Sequence, residues 1–372
     1  MRSSLFAIAS LLFLVGGLAG CRRTSPPTYE RSDVVGALSG PDYGETEEEK
    51  AMWSDLQRQI EATLQTEVGT AVRPRPLGVE EPTEEQLSDL KHGAEIYARR
   101  CVQCHGVNGN GAGPVAAFLV PRPRDYTQGI FKFTSTPTGA RPRRADLLRT
   151  LRNGVTGTAM PSFDDLADED LQDVTDYLIL LSQRGQLERR LVEIVDEEEE
   201  LAEDYVSEVV GEIVADWQNA NRQVVQPLTP MPEMTAETVA KGHAWFLKQA
   251  CNKCHGKDGR GGSVGNVEVG QDAWGHKAAA ADLTSGMFHG GGRPVDIYRR
   301  IYSGINGTPM PAFEQIFREN PDAIWHLVHF IKDLGERRRA DKAPLTDQEI
   351  ADIEARIDEL TATTPAESDP ES

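Results

Sequence analysis

Two five-residue stretches of this 372-residue chain could do chemistry: Cys101-Val-Gln-Cys104-His105 and Cys251-Asn-Lys-Cys254-His255. In Cys-x-x-Cys-His the two thiols sit where they can add to the two vinyl groups of a haem, and the next residue offers an imidazole as proximal iron ligand. Paired cysteines can also hold zinc or form a redox disulfide. The residues downstream of each stretch select among these. Asn153-Gly-Val-Thr-Gly-Thr158-Ala-Met160-Pro161-Ser-Phe163 comes after the first, and Gly304-Ile-Asn-Gly-Thr308-Pro-Met310-Pro311-Ala-Phe313 after the second. Met160 lies 55 positions beyond His105, and Met310 lies the same 55 beyond His255. The halves are internal repeats offset by 150 residues.

A thioether on the far face of an iron completes six-coordination and favours the reduced state, which suits an electron carrier. A methionine in a loop can equally be a gap-filling core residue. Met160 is the only methionine between Met52 and Met231, so the first half has no other thioether to offer. The second half keeps rivals for Met310, because Met287, His276 and His289 also lie within reach of the second haem.

Both halves resemble class I c-type cytochromes, over roughly 84–183 and 236–335. The resemblance implies an all-α chain of two tandem cytochrome c-like domains joined by a long helical connector. It implies two covalently bound haem c groups, attached through Cys101, Cys104, Cys251 and Cys254. His105 and His255 would be proximal ligands, and Met160 and Met310 distal ones. In that family the first and last helices pack against each other beside the haem. Gly93, Tyr97 and Cys101 match the family's spacing, whereas Gly242 and Phe246 lie one residue further from Cys251.

The elements that must position these groups run in order along the chain. Residues 1–20 read as a secretory signal, with Arg2 as charged start and Leu5 to Val15 as apolar core. Leu18-Ala19-Gly20-Cys21 resembles a lipoprotein lipobox, implying lipidation at Cys21; an uncleaved anchor or an ordinary signal peptide are the other readings. Residues 21–50 read as an acidic tether, and 51–82 as an amphipathic helix and linker striped by Trp53, Leu56, Ile60 and Leu64. The first domain is expected over 83–184, opening on a Thr83-Glu-Glu-Gln86 capping box. A helical linker over 185–234 would set the spacing of the two haems. The second domain is expected over 235–336, and 337–372 would hold a C-terminal helix, striped by Ile350, Ile353, Ile357 and Leu360, and a disordered tail.

Arg122, Arg124, Arg141, Arg143 and Arg144 fit haem propionates, an acidic partner or a solvated loop, with one or two expected at propionates. Trp274, Arg293 and Tyr298 could pack on or bond the second haem, or simply pack loop and helix. His326 and His329 read as packing or surface residues on the closing helix. The aromatic content of 6% is low for a large protein-built core, so the haems are expected to supply the missing apolar mass.

The net charge of −20 favours fast, weak docking to basic redox partners and argues against nucleic acid. These readings converge on a lipid-anchored, exported dihaem electron carrier, facing the periplasm or cell exterior. Its partners would be a quinol-oxidising complex and a terminal oxidase. The rival is a dihaem enzyme, a peroxidase or a thiosulfate-type dehydrogenase, with the second haem as catalytic site.

Overall fold

The computed structural model describes residues 27–40, 42–261 and 268–362. The signal reading over 1–20, Cys21 and the middle of the second glycine loop lie outside them. The chain is 54% helical, and its described strands form only two short hairpins.

Each half is built on one helix crossing. In the first, α3 (Glu84–Arg100) meets α6 (Asp168–Glu198); in the second, α8 (Ala236–Lys248) meets α12 (Ala323–Arg339). Glycine makes both crossings close. A Cβ on Gly93 would stand 2.1 Å from the Asp173 carbonyl oxygen, and one on Gly242 would stand 1.9 Å from that of His326. One turn along, Tyr97 meets Tyr177 with ring centroids 5.4 Å apart, and Phe246 meets Phe330 at 5.3 Å. The extra residue in the second half therefore leaves the crossing intact. It is absorbed at Ala250, which turns left-handed (φ 56°), so the Cys251 amide reaches back five residues to Phe246, whereas the Cys101 amide reaches four to Tyr97.

The capping box at Thr83 forms, with the Gln86 amide donating to the Thr83 hydroxyl and the Thr83 amide to Gln86 Oε1, and Thr235 with Thr238 repeats it on α8. Each domain closes its own apolar core.

Three expectations about the flanks change. The segment expected as a tether is docked: Val35 and Leu38 are fully buried, and Tyr29 lies against Tyr177 and Arg184. Its few apolar side chains, scattered among acids, suffice because each enters the first core. The expected boundary at 184/185 falls inside α6, which continues for 14 more residues with Leu187, Leu191 and Val195 fully buried. The connector then folds back. α7 (Glu203–Asn219) lays Val206, Val209, Val210, Ile213 and Trp217 into the first domain's core, so it is a structural part of that domain rather than a spacer.

The amphipathic stripes are likewise used internally. α2 (Glu47–Val68) packs on α6, while α13 (Asp347–Glu354) and α14 (Ile357–Leu360) pack on α8, burying Ile350 and Leu360. No described helix is long and apolar enough to cross a membrane.

The two domains touch directly. Residues 130–139 of the first lie against α10 (Pro294–Ser303) and the loop after it, where the Arg300 guanidinium donates to the Lys132 and Thr134 carbonyls. Arg149 pairs with the buried Asp296 at 2.8 Å, and Lys132 with the buried Asp272 at 3.0 Å.

Candidate functional site

Both Cys-x-x-Cys-His stretches form a single helical turn, α4 (Val102–His105) and α9 (Asn252–His255), each led by its first cysteine. The His105 amide bonds to the Cys101 carbonyl at 2.9 Å, and the His255 amide to that of Cys251 at the same distance. A left-handed glycine, Gly106 (φ 74°) or Gly256 (φ 74°), then turns the chain away. No disulfide joins the four cysteines of the two motifs. Burial pushes the first thiol of each pair, Cys101 and Cys251, up to about 12, so neither ionises unaided.

The histidines are oriented alike. His105 Nδ1 donates to the Arg124 carbonyl at 3.0 Å, and His255 Nδ1 to the Ala281 carbonyl at 3.0 Å. A carbonyl only accepts, so Nδ1 carries the proton and Nε2 keeps its lone pair. Burial holds His105 down to about 4 and lowers His255 too, so both imidazoles stay neutral, the form that binds metal.

The residues supplying those carbonyls were missed in the sequence. Their signal was the echo of Asp125-Tyr-Thr127 in Asp282-Leu-Thr284. Asp125 Oδ1 accepts from the Thr127 amide at 2.8 Å and hydroxyl at 2.6 Å; Asp282 Oδ1 accepts from Thr284 at 2.9 and 2.6 Å. These side-chain turns set the segment that carries the accepting carbonyl one residue earlier.

The methionine loops are copies. The Val155 amide bonds to the Met160 carbonyl at 3.1 Å, and Ile305 to Met310 at 3.2 Å. Thr158 and Thr308 each donate to a carbonyl three residues back at 2.8 Å and accept the methionine amide, at 3.1 and 3.2 Å. Gly154 and Gly304 are left-handed, and a Cβ on either would lie 2.7 Å from the methionine carbonyl. Both methionines are half-buried, and Met160 lies against the first core.

This donor set fits a haem in each half: two thiols and a pre-oriented imidazole on one turn, and a rigid loop offering a thioether.

The rivals of Met310 have other engagements. Met287 is 55% exposed. His276 sits by Asp272 on the hairpin of β3 (Glu268–Gln271) and β4 (Lys277–Ala279), and His289 donates to the Thr156 carbonyl of the first domain.

Of the five arginines, three are committed to protein partners. Arg124 lies 3.6 Å over the Trp274 ring, Arg141 meets Asp216, and Arg144 forks onto Asp176. Arg122 is exposed, and Arg143 keeps a buried Nε without a partner. Trp274 also packs against Gly307, Arg293 pairs with Asp296, and the buried Tyr298 hydroxyl accepts the Leu228 amide, so each has a partner within the protein. His326 is half-buried and His329 bonds Thr238, in keeping with packing roles.

Each half of the chain resembles known proteins. Residues 88–178 match the family model of cytochrome c oxidase, cbb3-type, subunit III, and residues 239–335 that of cytochrome c. Cytochrome c6 of Cyanidioschyzon merolae is 28% identical over 98 residues, which is 26% of this chain and 80% of that protein. Among solved structures, a chain of the Kuenenia stuttgartiensis reducing HAO-like protein complex is similar, with a TM-score of 0.52 and 30% identity. The likeness covers 69% of this chain and 98% of that one. Each half is a cytochrome c domain in its own right, and the chain belongs to the class I c-type cytochromes, with two such domains fused in tandem.

Proposed function

We propose that this cytochrome carries electrons through two haem c groups between membrane-associated partners on the extracytoplasmic side, anchored by a lipid on Cys21. The observation that carries the reading is the match between the two methionine loops, hydrogen bond for hydrogen bond. A catalytic haem needs an exchangeable position on the iron, and paired loops that each offer a thioether argue against one.

When bound, each haem supplies a one-electron couple at iron. Cys101 and Cys104, and likewise Cys251 and Cys254, fix it covalently. His105 and His255 would hold the metal through Nε2 while their Nδ1–H groups donate to the Arg124 and Ala281 carbonyls. Met160 and Met310 would supply thioethers from loops that Thr158 and Thr308 already brace.

An acidic chain suits basic partners, and a quinol-oxidising complex upstream with a terminal oxidase downstream fits such a carrier. The match of the first domain to an oxidase-subunit model supports the second of these. A permanent place in a redox complex is the second reading, favoured by the likeness to a chain of the HAO-like complex.

The test is the oxidised visible and near-infrared spectrum of the haem-loaded protein. Full intensity of the methionine-to-ferric-haem charge-transfer band, scaled to two haems, is expected. Half intensity would mean one open or histidine-ligated iron, and peroxide and thiosulfate turnover would then decide for the enzyme.

A further inference from the structure

The methionine loops are not held by their own domains alone. His289, from the second domain, donates through Nδ1 to the Thr156 carbonyl in the first domain's loop. Its ring also lies where a Cβ on Gly157 would come within 3.2 Å of Cε1, so the left-handed glycine (φ 79°) admits the close approach. Phe133 backs the imidazole, with centroids 6.3 Å apart.

The second loop is held in the reverse sense. The Gly139 amide of the first domain donates to Asn306 Oδ1 at 2.8 Å, and Thr138 donates to the Ser303 carbonyl. Ile130 stands 3.2 Å from where a Gly307 Cβ would be. Asn306 is buried and Gly307 is left-handed (φ 67°). Positions 156 and 306 thus correspond under the 150-residue repeat, and each receives its polar contact from the opposite domain.

We infer that His289 positions the Met160 loop and that the Gly139 amide, through Asn306, positions the Met310 loop, so each thioether is set in part by the domain that does not contain it. The inference rests on the methionine ligation proposed above. Its consequence is that the ligation of one haem depends on the intact surface of its neighbour. Neither His289 nor Gly139 acts as a metal ligand; both work through a loop.

The experiment is an imidazole titration of the oxidised, haem-loaded full chain, reading the loss of the methionine charge-transfer band. His289→Ala should displace half of the band at an imidazole concentration at least tenfold lower than wild type needs. His289→Asn, whose amide can still donate to Thr156, should recover most of the difference. His276→Ala, on an exposed histidine of the same domain, should titrate as wild type.

Asn306→Ala should loosen the other half of the band. In a Met160→Ala background the effect of His289→Ala should vanish, and that of Asn306→Ala should remain. A wild-type protein without the Met160 share of the band would sink the ligation reading itself. A full wild-type band that His289→Ala leaves unchanged, or an effect that survives in Met160→Ala, would overturn only the cross-domain positioning.

Discussion

Ala250 carries backbone strain that keeps a haem motif in register. It is an alanine in a left-handed conformation, where a Cβ crowds the next carbonyl at a cost of roughly 1–2 kcal/mol. Ala250→Gly should therefore stabilise the second domain by about 1 kcal/mol after the extra freedom of the unfolded chain is counted. Thermal unfolding of that domain is the check, and a loss of stability would contradict the strain. At the ligand positions, Met160→Ala and Met310→Ala should each lower the potential of one haem and open its iron to carbon monoxide, since a thioether favours the reduced state. Stepwise redox titration would show one unchanged couple and one shifted couple in each variant; two unchanged couples would refute the assignment. The candidate cysteines, histidines and methionines stood out in the sequence because covalent attachment and ligation would demand particular atoms at particular spacings. The carbonyls of Arg124 and Ala281 were not, because any residue supplies a carbonyl and only the Asp-x-Thr turn beside it has a signature.

Helix crossings are the elements that make the two haem sites alike. At the α8–α12 crossing, Gly242→Ala would drive a methyl group to 1.9 Å from the His326 carbonyl, and the helices can relieve that only by separating. A loss of about 3 kcal/mol or more in the second domain is expected, at the severe end of overpacking; a shift under about 1 kcal/mol would show that the crossing is loose. The same crossing holds a pH dependence. His243 on α8 is buried and stacked on Phe330 of α12 at 4.5 Å, and burial lowers it to about 4. The unfolded chain binds this proton near pH 6.5 and the folded one near 4, so stability is fully present above about 6.5 and falls as pH drops between those values. The unfolding temperature of the second domain should decline over that window, and His243→Leu should flatten the decline; an unchanged slope would place the effect elsewhere. Helical periodicity and capping boxes made these helices readable in advance. The docked segment around Val35 and Leu38 was hidden, because two or three apolar residues among acids look like a linker until the groove that receives them exists.

Across the whole molecule, net charge and domain contacts govern behaviour. A chain of net charge −20 should dock basic redox partners with rates that fall steeply as salt is raised, since steering between exposed charges is screened beyond about 10 Å at 0.1 M. Stopped-flow electron transfer to a basic and an acidic acceptor would separate this from salt-independent apolar docking. The half-buried Arg149–Asp296 and Lys132–Asp272 pairs lie between the domains and are screened less, so salt should change encounters with partners before it changes the join between haem domains. The presence of two cytochrome c-like halves was legible, but the interface was not, because its polar partners come from loops with no periodicity. The unbroken α6 also dictates where the gene can be cut. A fragment ending at 184, the edge of the recognisable first domain, would sever a helix midway, split the Arg184–Glu188 pair, and lose both the wholly buried Leu187, Leu191 and Val195 and the α7 face that lies with them in one core. A fragment carried on to 222 keeps that helical pair whole, and it is the shorter piece that should be recovered aggregated or degraded.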